Sequence, residues 1–137
     1  MAEYYILVVD DEEGIRSGTR RILQPFVVDF PFMEEQVTYR IGEAGSAEEA
    51  IPMLEQAWPD IVLLDNKLPG MEGIELLEYI RRKGMDTMVV MITSYASLEL
   101  AVKATQDGAF DFIPKPFTPA ELRSSVESIT KKLFSGG

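Results

Sequence analysis

Cysteine and histidine are both absent from the 137-residue chain. Their absence excludes disulfides, thiolate nucleophiles, Ser-His and Cys-His catalysis and zinc sites that use either residue. Long apolar runs are missing too, since the longest have about five or six residues and a membrane-spanning helix needs roughly 20. The N-terminal MAEYY lacks the basic segment and cleavage site of a signal peptide. We therefore expect a cytoplasmic domain that uses carboxylates, hydroxyls, lysine and oxygen-ligated metal ions.

Basic residues are scarce beside acidic ones. The chain has 13 Lys and Arg against 23 Asp and Glu, for a formal net charge of -10. This acidity argues against direct contact with nucleic acid or an anionic membrane. With 46% hydrophobic and 26% charged residues, the composition predicts one soluble domain over residues 1–137.

Short apolar runs alternate with helix-like segments along the chain. Three runs rich in branched residues, 4–9, 61–64 and 88–92, are typical of strands buried on both faces of a parallel sheet. Two weaker runs, 38–41 and 110–113, bring the expected strand number to five. Capping patterns at Ser46 with Glu49, and at Thr118 with Pro119 and Glu121, predict two helix starts. The alternation predicts an α/β fold, a doubly wound five-stranded parallel sheet with five helices on both faces.

Polar residues follow four of these five runs, at the sheet edge where such folds bind ligands. They are Asp10, Asp11 and Glu12, then Asp65, then Thr93 and Ser94, and finally Pro114, Lys115 and Pro116. Two carboxylates about 4 Å apart repel by roughly 4 kcal/mol at an effective dielectric constant near 20, so the cluster favours a hard divalent cation such as Mg²⁺. A carboxylate beside Mg²⁺ and lysine can attack phosphorus and form an acyl phosphate. Asp65 is the natural nucleophile because it ends a strand in the middle of the sheet.

Several segments together carry a family resemblance. ILVVDDEEGIR, DIVLLDNKLPGMEGIELL and VVMITSYASLELAVKATQDGAFDFIPKPF, followed by TPAEL, resemble the receiver domain of bacterial two-component response regulators over essentially the whole chain. The segments of the fourth and fifth strands are most similar to receivers of nitrogen-regulation-class enhancer-binding activators. The resemblance implies a flavodoxin-like strand order 2-1-3-4-5 and a phosphorylation-dependent signalling switch.

The resemblance also implies a role for each acidic residue of the site. Asp65 would accept a phosphoryl group from a sensor histidine kinase or phosphotransfer protein. Mg²⁺, or alternatively Mn²⁺, would be bound directly by Asp11, mostly through water by Asp10, and by Asp65 and the backbone carbonyl of Lys67. We further expect Lys67 and Tyr95 to overhang the phosphoryl group and to slow its hydrolysis.

The switch residues follow from the same resemblance. Thr93 and Lys115 would contact phosphoryl oxygens, and the Lys115-Pro116 peptide bond would be cis. Phe112 would be the switch aromatic that turns inward as Thr93 moves. From the residues alone, Thr93 could instead be a cap and Phe112 could be ordinary core packing.

The resemblance places the output surface on the fourth helix, fifth strand and fifth helix. Candidate contacts to an output domain, a partner protein or a second copy in a phosphorylation-dependent homodimer are Lys103, Asp111, Arg123 and Lys131. The chain lacks histidine, so the phosphohistidine donor must come from another protein. The sequence leaves open whether this is a free-standing receiver or part of a longer regulator; the C-terminal FSGG, directly after the last predicted helix where a linker would begin, raises the second possibility.

One segment departs from the family pattern. The connection 25–40 between the first helix and second strand is long, with two prolines and six apolar residues among its first nine. It either folds back on the sheet as extra core or presents an apolar patch to a partner. Two other functions also remain open: a Mg²⁺-dependent phosphohydrolase with an aspartyl-phosphate intermediate, and a binding module that is never phosphorylated.

Overall fold

A computed structural model describes residues 1–94 and 97–135 of the chain. Strands and helices alternate through nearly all of it. In chain order the elements are β1 (Ala2–Val9), α1 (Glu13–Leu23), β2 (Val28–Phe30), a 3-10 turn (Pro31–Met33), β3 (Glu35–Ala44), α2 (Ala47–Gln56), β4 (Ile61–Leu64), α3 (Gly73–Arg82), β5 (Met88–Thr93), α4 (Leu98–Gln106), β6 (Asp111–Pro114) and α5 (Pro119–Phe134).

The strands form one sheet in the order β2-β3-β1-β4-β5-β6. The last five are parallel to one another and have the order predicted for a doubly wound domain. The predicted number of five strands was wrong, because β2 adds a sixth, antiparallel strand beside β3. Its three residues carry no periodic signal of their own and become a strand only by pairing with β3.

The sixth strand comes from the long connection 25–40. Val28 is buried, the Phe26 ring stacks on Tyr39 at 5.9 Å, and the Phe30 ring stacks on Phe134 of α5 at 4.3 Å. The turn that follows points Phe32 wholly into solvent. One side of this segment therefore extends the core, and the other displays apolar side chains to solvent.

Apolar side chains cover both faces of the sheet. Along β1, Leu7 and Val9 belong to a core that packs against α2, α3 and α4, whereas Ile6 and Val8 belong to a core that packs against α1 and α5. This two-sided burial explains the nearly continuous apolar runs, since every residue of such a strand faces a helix layer. No helix in residues 1–94 and 97–135 combines the length and apolarity that crossing a bilayer requires.

Local capping starts the helices where the sequence predicted. The Ser46 hydroxyl accepts a hydrogen bond from the Glu49 amide at 3.1 Å. Thr118 and Glu121 form a reciprocal capping box, each side chain accepting from the other's backbone N–H. Because these bonds satisfy amides that helical bonding leaves free, they set the first residues of α2 and α5.

Candidate functional site

Two buried carboxylates and one ammonium group meet at the carboxyl edge of the sheet. The strands β1 and β4 are parallel and end opposite each other at Val9 and Leu64, so the next residues, Asp10 and Asp65, emerge side by side. Lys115 follows β6, two strands away from Asp65, and its side chain reaches back across β5. Its Nζ lies 2.6 Å from Asp10 Oδ2 and 3.0 Å from Asp65 Oδ2.

The second oxygen of each carboxylate is held by the backbone. Asp10 Oδ1 accepts from the amide of Glu12 at 2.9 Å, and Asp65 Oδ1 accepts from the amide of Lys67 at 3.2 Å. All three charged side chains of the cluster are at most 9% exposed. These bonds fix the orientation of both carboxylates.

Burial and hydrogen bonding act in opposite directions on the charges here. Burial raises the pKa of Asp10, against the hydrogen bonds from Lys115 and Glu12, and the charge of Asp65 raises it further. Burial also disfavours the charged form of Lys115, but its bonds to Asp10 and Asp65 outweigh that effect and raise its pKa. The ammonium therefore stays protonated at neutral pH and is available to pair with an incoming anion.

The acidic residues that follow β1 offer a set of oxygen donors for a metal ion. Asp10, Asp11 and Glu12 each place one carboxylate oxygen within 4.8 Å of the others. Asp11 and Glu12 are exposed, so a hydrated cation has access to them. The all-oxygen donor set fits Mg²⁺, a hard ion that binds proteins through one or two carboxylates and retains waters.

The sequence placed Glu12 in the acidic cluster, but the predicted set of metal ligands did not include it. In the described residues, Asp65 stands outside the group of three, and its Oδ2 is engaged by Lys115. The predicted metal set of Asp10, Asp11, Asp65 and the Lys67 carbonyl is thus brought to one edge but not into one group of converging carboxylates.

Of the remaining predicted residues, Thr93 ends β5, and Lys67 and Pro116 belong to the segments that follow β4 and β6 at this edge of the sheet. Thr93 is fully buried at the end of β5, and its carbonyl accepts from the amide of Lys115 at 3.0 Å. The Lys115-Pro116 peptide bond is cis. Lys67 is exposed. Tyr95, which was predicted to shield the phosphoryl group, lies outside the described residues.

Phe112 lies on β6 beside Met91 of β5. Its ring is half-buried and packs against the core formed with α2, α3 and α4. This position lets the side chain contribute to the core, while Phe112 also lines a surface groove together with residues of α5.

Two residues that shape the backbone between Asp65 and α3 were not predicted. The Asn66 side chain accepts from the amide of Ile74 at 2.8 Å and so helps to start α3. At Gly73 a Cβ would overlap the carbonyl oxygen of Asp65 and lie 2.8 Å from the Asn66 Cα, so glycine is required there. A glycine at the start of an otherwise regular helix was the available signal.

Comparison with known proteins gives one consistent result. Residues 6–127 match the family model of the response regulator receiver domain. The chain is 35% identical to the phosphate regulon transcriptional regulatory protein PhoB of Escherichia coli over 130 residues. This alignment covers 93% of this chain and 52% of PhoB. It is 32% identical to the response regulator UvrY of E. coli over 90% of this chain and 53% of that protein. The chain thus spans about half the length of these curated relatives.

A solved structure agrees over the full length. The CheY-like response regulator receiver domain protein of Methanospirillum hungatei is similar at a TM-score of 0.84 and 32% identity, over 99% of this chain and 100% of that one. Receiver domains bind Mg²⁺ at an acidic cluster and interact with histidine kinases and output domains. They act as signalling switches and not as conventional enzymes. This chain belongs to the response regulator receiver domain family, whose members are phosphorylation-dependent signalling switches that control outputs such as transcription.

Proposed function

We propose that phosphorylation of Asp65 by a sensor histidine kinase, or by a phosphotransfer protein, switches this chain. The observation that carries the proposal is the single ammonium of Lys115 that spans the carboxylates of Asp10 and Asp65 at 2.6 and 3.0 Å. We further propose that residues 1–137 act as one domain, with the connection 25–40 as an added element.

The geometry suits Asp65 to the role of acceptor. Its carboxylate is buried in the middle of the sheet, and the Lys67 amide orients Oδ1. A carboxylate oxygen would form the new O–P bond while the P–N bond of the donor phosphohistidine breaks and the electron pair leaves with the imidazole nitrogen. Lys115, kept protonated, would then pair with a phosphoryl oxygen in place of the Asp65 oxygen it binds now.

A divalent cation fits the acidic edge of this site. Asp10, Asp11 and Asp65, with the carbonyl of Lys67, would hold Mg²⁺ or Mn²⁺, and Glu12 supplies a further carboxylate nearby. When bound, the cation neutralises charge shared by the carboxylates and the phosphoryl oxygens.

The switch itself would use Thr93 and Phe112. The Thr93 carbonyl already bonds to the Lys115 amide, so movement of either residue is transmitted to the other. Phe112 lies on the neighbouring strand, where it packs against the core and lines a surface groove together with residues of α5. A shift in the Thr93 hydroxyl would thereby change the surface formed by α4, β6 and α5.

That surface would contact an output domain, a partner or a second copy. Three of its four candidate charges make intramolecular bonds: Lys103 pairs with Glu78 and Asp107, Asp111 accepts from Ser125, and Lys131 pairs with Glu127. A partner would have to exchange these bonds for its own, which suits reversible association.

Labelling with a small phosphodonor tests the proposal. We expect acetyl phosphate with Mg²⁺ to add one phosphoryl group to the wild type and none to Asp65→Asn, measured by intact mass. Asp86→Asn, an exposed substitution at the opposite edge of the sheet, is the matched control and should label normally. Continued release of many phosphates per chain would indicate a phosphohydrolase instead, and a wild type that never labels would indicate a binding module. Sizing with and without phosphate reports on the homodimer.

The lifetime of the phosphoryl group is a separate measurement. We propose that Lys67 and Tyr95 shield it from the in-line water, so that self-dephosphorylation is slow. The double substitution Lys67→Asn with Tyr95→Glu should speed the decay of phospho-Asp65, and an unchanged decay rate contradicts the shielding.

A further inference from the structure

Arg16 of α1 bonds both to the backbone of the acidic turn after β1 and to a side chain of β3. Its Nη1 donates to the backbone carbonyl of Asp10 at 2.7 Å, and its Nε donates to Glu43 of β3 at 3.3 Å. One helical turn later, Arg20 donates to the other oxygen of Glu43 at 2.7 Å. The Arg16 side chain is only 18% exposed, so these are not the loose contacts of a surface ion pair.

The carbonyl that Arg16 binds has a special position. Val9 is the last residue of β1 that pairs with both neighbouring strands, so the chain leaves the sheet at Asp10. The Asp10 carbonyl belongs to the peptide unit that joins Asp10 to Asp11. Because a peptide unit is planar, holding its oxygen also fixes the direction of the Asp11 N–H and Cα.

This peptide unit needs to be held. The carboxylates of Asp10, Asp11 and Glu12 have oxygens within 4.8 Å of one another, and their like charges favour a turn that spreads them apart. A guanidinium bound to the peptide between the first two opposes that spreading. Glu43 in turn fixes the guanidinium, since it accepts from both Arg16 and Arg20.

We propose that Arg16 is a positioning residue that holds the Asp10-Asp11 peptide unit, so that the acidic side chains stay convergent for a divalent cation. The cation site rests on the proposed function, whereas the effect on the peptide unit does not. The guanidinium acts through the backbone and need not touch the cation or the phosphoryl group.

Loss of the Arg16 guanidinium changes cation affinity in opposite directions according to whether its charge or its positioning role dominates. Removal of a positive charge near an anionic site should by itself strengthen the binding of a cation. Loss of a group that keeps the carboxylates together should weaken it. Arg20 provides the matched comparison, because it carries the same charge on the same helix and bonds the same Glu43 but does not bond the Asp10 carbonyl in this structure.

Binding of Mn²⁺, followed by the electron paramagnetic resonance signal of the free ion, gives the first test. We expect Arg16→Ala to weaken Mn²⁺ binding by about tenfold, the size of one charge-assisted hydrogen bond. Arg16→Lys, which keeps the charge and one donor, should recover part of the loss, and Arg20→Ala should stay within about twofold of the wild type. Equal or tighter binding by Arg16→Ala overturns the proposal, as does an equal loss in Arg20→Ala.

Amide hydrogen exchange in metal-free protein gives a second, independent test. The Glu12 amide donates to Asp10 Oδ1, so a loosened turn exposes it. We expect its exchange to be several-fold faster in Arg16→Ala and unchanged in Arg20→Ala, with Arg16→Lys measured in the same way in case the alanine variant does not fold. Unchanged Glu12 exchange in both Arg16 variants contradicts the role. A wild type that binds Mn²⁺ but never labels at Asp65 contradicts the proposed function and leaves the role of Arg16 intact.

Discussion

Replacement of Lys115 with methionine removes the ammonium between two buried carboxylates while keeping most of the length of the side chain. In the wild type, Nζ lies 2.6 Å from Asp10 and 3.0 Å from Asp65, and the two carboxylate side chains are 4% and 5% exposed. The variant leaves both carboxylates facing each other without a counter-charge. We expect a marked loss of folding stability in the absence of divalent cations.

The size of this loss can be estimated from the two buried charges that the variant leaves unpaired. Two carboxylates about 4 Å apart repel by roughly 4 kcal/mol at an effective dielectric constant near 20, and breaking a buried ion pair typically costs ~3–5 kcal/mol. Protonation of Asp10, whose pKa burial already raises, limits the loss. We therefore expect about 3 kcal/mol at pH 8. Without the ammonium the folded-state pKa of Asp10 rises further, so the loss should shrink as the pH falls through that raised pKa.

Urea unfolding in EDTA, followed by circular dichroism, measures this loss. With a slope of about 1.5 kcal/mol per molar urea, a 3 kcal/mol change lowers the midpoint by about 2 M. The control is Lys131→Met, which breaks an exposed pair with Glu127 and should cost less than about 0.5 kcal/mol. Equal losses in the two variants at pH 8, or a loss that does not depend on pH, would refute the electrostatic coupling of the cluster. Excess Mg²⁺ should restore part of the stability of Lys115→Met, because it supplies the missing positive charge.

Three further predictions concern other groups. Asp10→Asn should stabilise the metal-free fold at pH 7, because burial raises the pKa of Asp10 and ionisation of this carboxylate therefore opposes folding. Urea titrations should show that this gain in stability vanishes as the pH falls below 3.8, the ordinary pKa of an aspartate. Burial raises the pKa of Tyr39 from 10.0 to about 12, so the contribution of Tyr39 to stability should be constant below pH 10, and the fall in stability between pH 10 and 12 should be smaller in Tyr39→Phe than in the wild type by up to about 2.7 kcal/mol. Phe30→Ala should cost about 1–2 kcal/mol and speed amide exchange around Phe134, whereas Phe32→Ala should cost less than about 0.5 kcal/mol.

A specific result would contradict each of these three predictions. An Asp10→Asn protein no more stable than the wild type at pH 7 would mean that the bonds from Lys115 and Glu12 fully offset burial. Tyr39→Phe will have a lower baseline, because the hydroxyl contacts Thr130 at 2.6 Å, so the comparison is between the pH slopes and not the absolute stabilities. Equal costs for Phe30→Ala and Phe32→Ala would show that stacking on α5 contributes nothing.

Several features of this structure, including strand bounds and helix starts, can be predicted from short stretches of sequence. The run 61–64 is a strand with the predicted bounds, and Ser46 and Thr118 cap helices as predicted, because each feature depends on residues within one turn or one strand. The acidic, threonine and lysine residues could be assigned to one sheet edge because parallel strands all end on the same side.

Other features depend on partners distant in the chain. The strand 28–30 exists through its pairing with 35–37, and the contact between Lys115 and Asp10 joins residues 105 positions apart. Nothing in the sequence around Arg16 marks the backbone carbonyl that its side chain binds. Glu12 was visible in sequence, but only the turn after β1 shows that its carboxylate converges with those of Asp10 and Asp11.

The order of apolar runs and polar strand ends thus determined the class of fold, the edge that carries the chemistry and the kinds of group available there. Tertiary structure alone decided the sixth strand, the pairing of one ammonium with two carboxylates, and the side chains that hold the acidic turn. The physical reason is that hydrophobic periodicity and capping act over a few residues, whereas the pKa of a buried carboxylate and the direction of a peptide carbonyl depend on whichever distant groups the fold brings within about 3 Å.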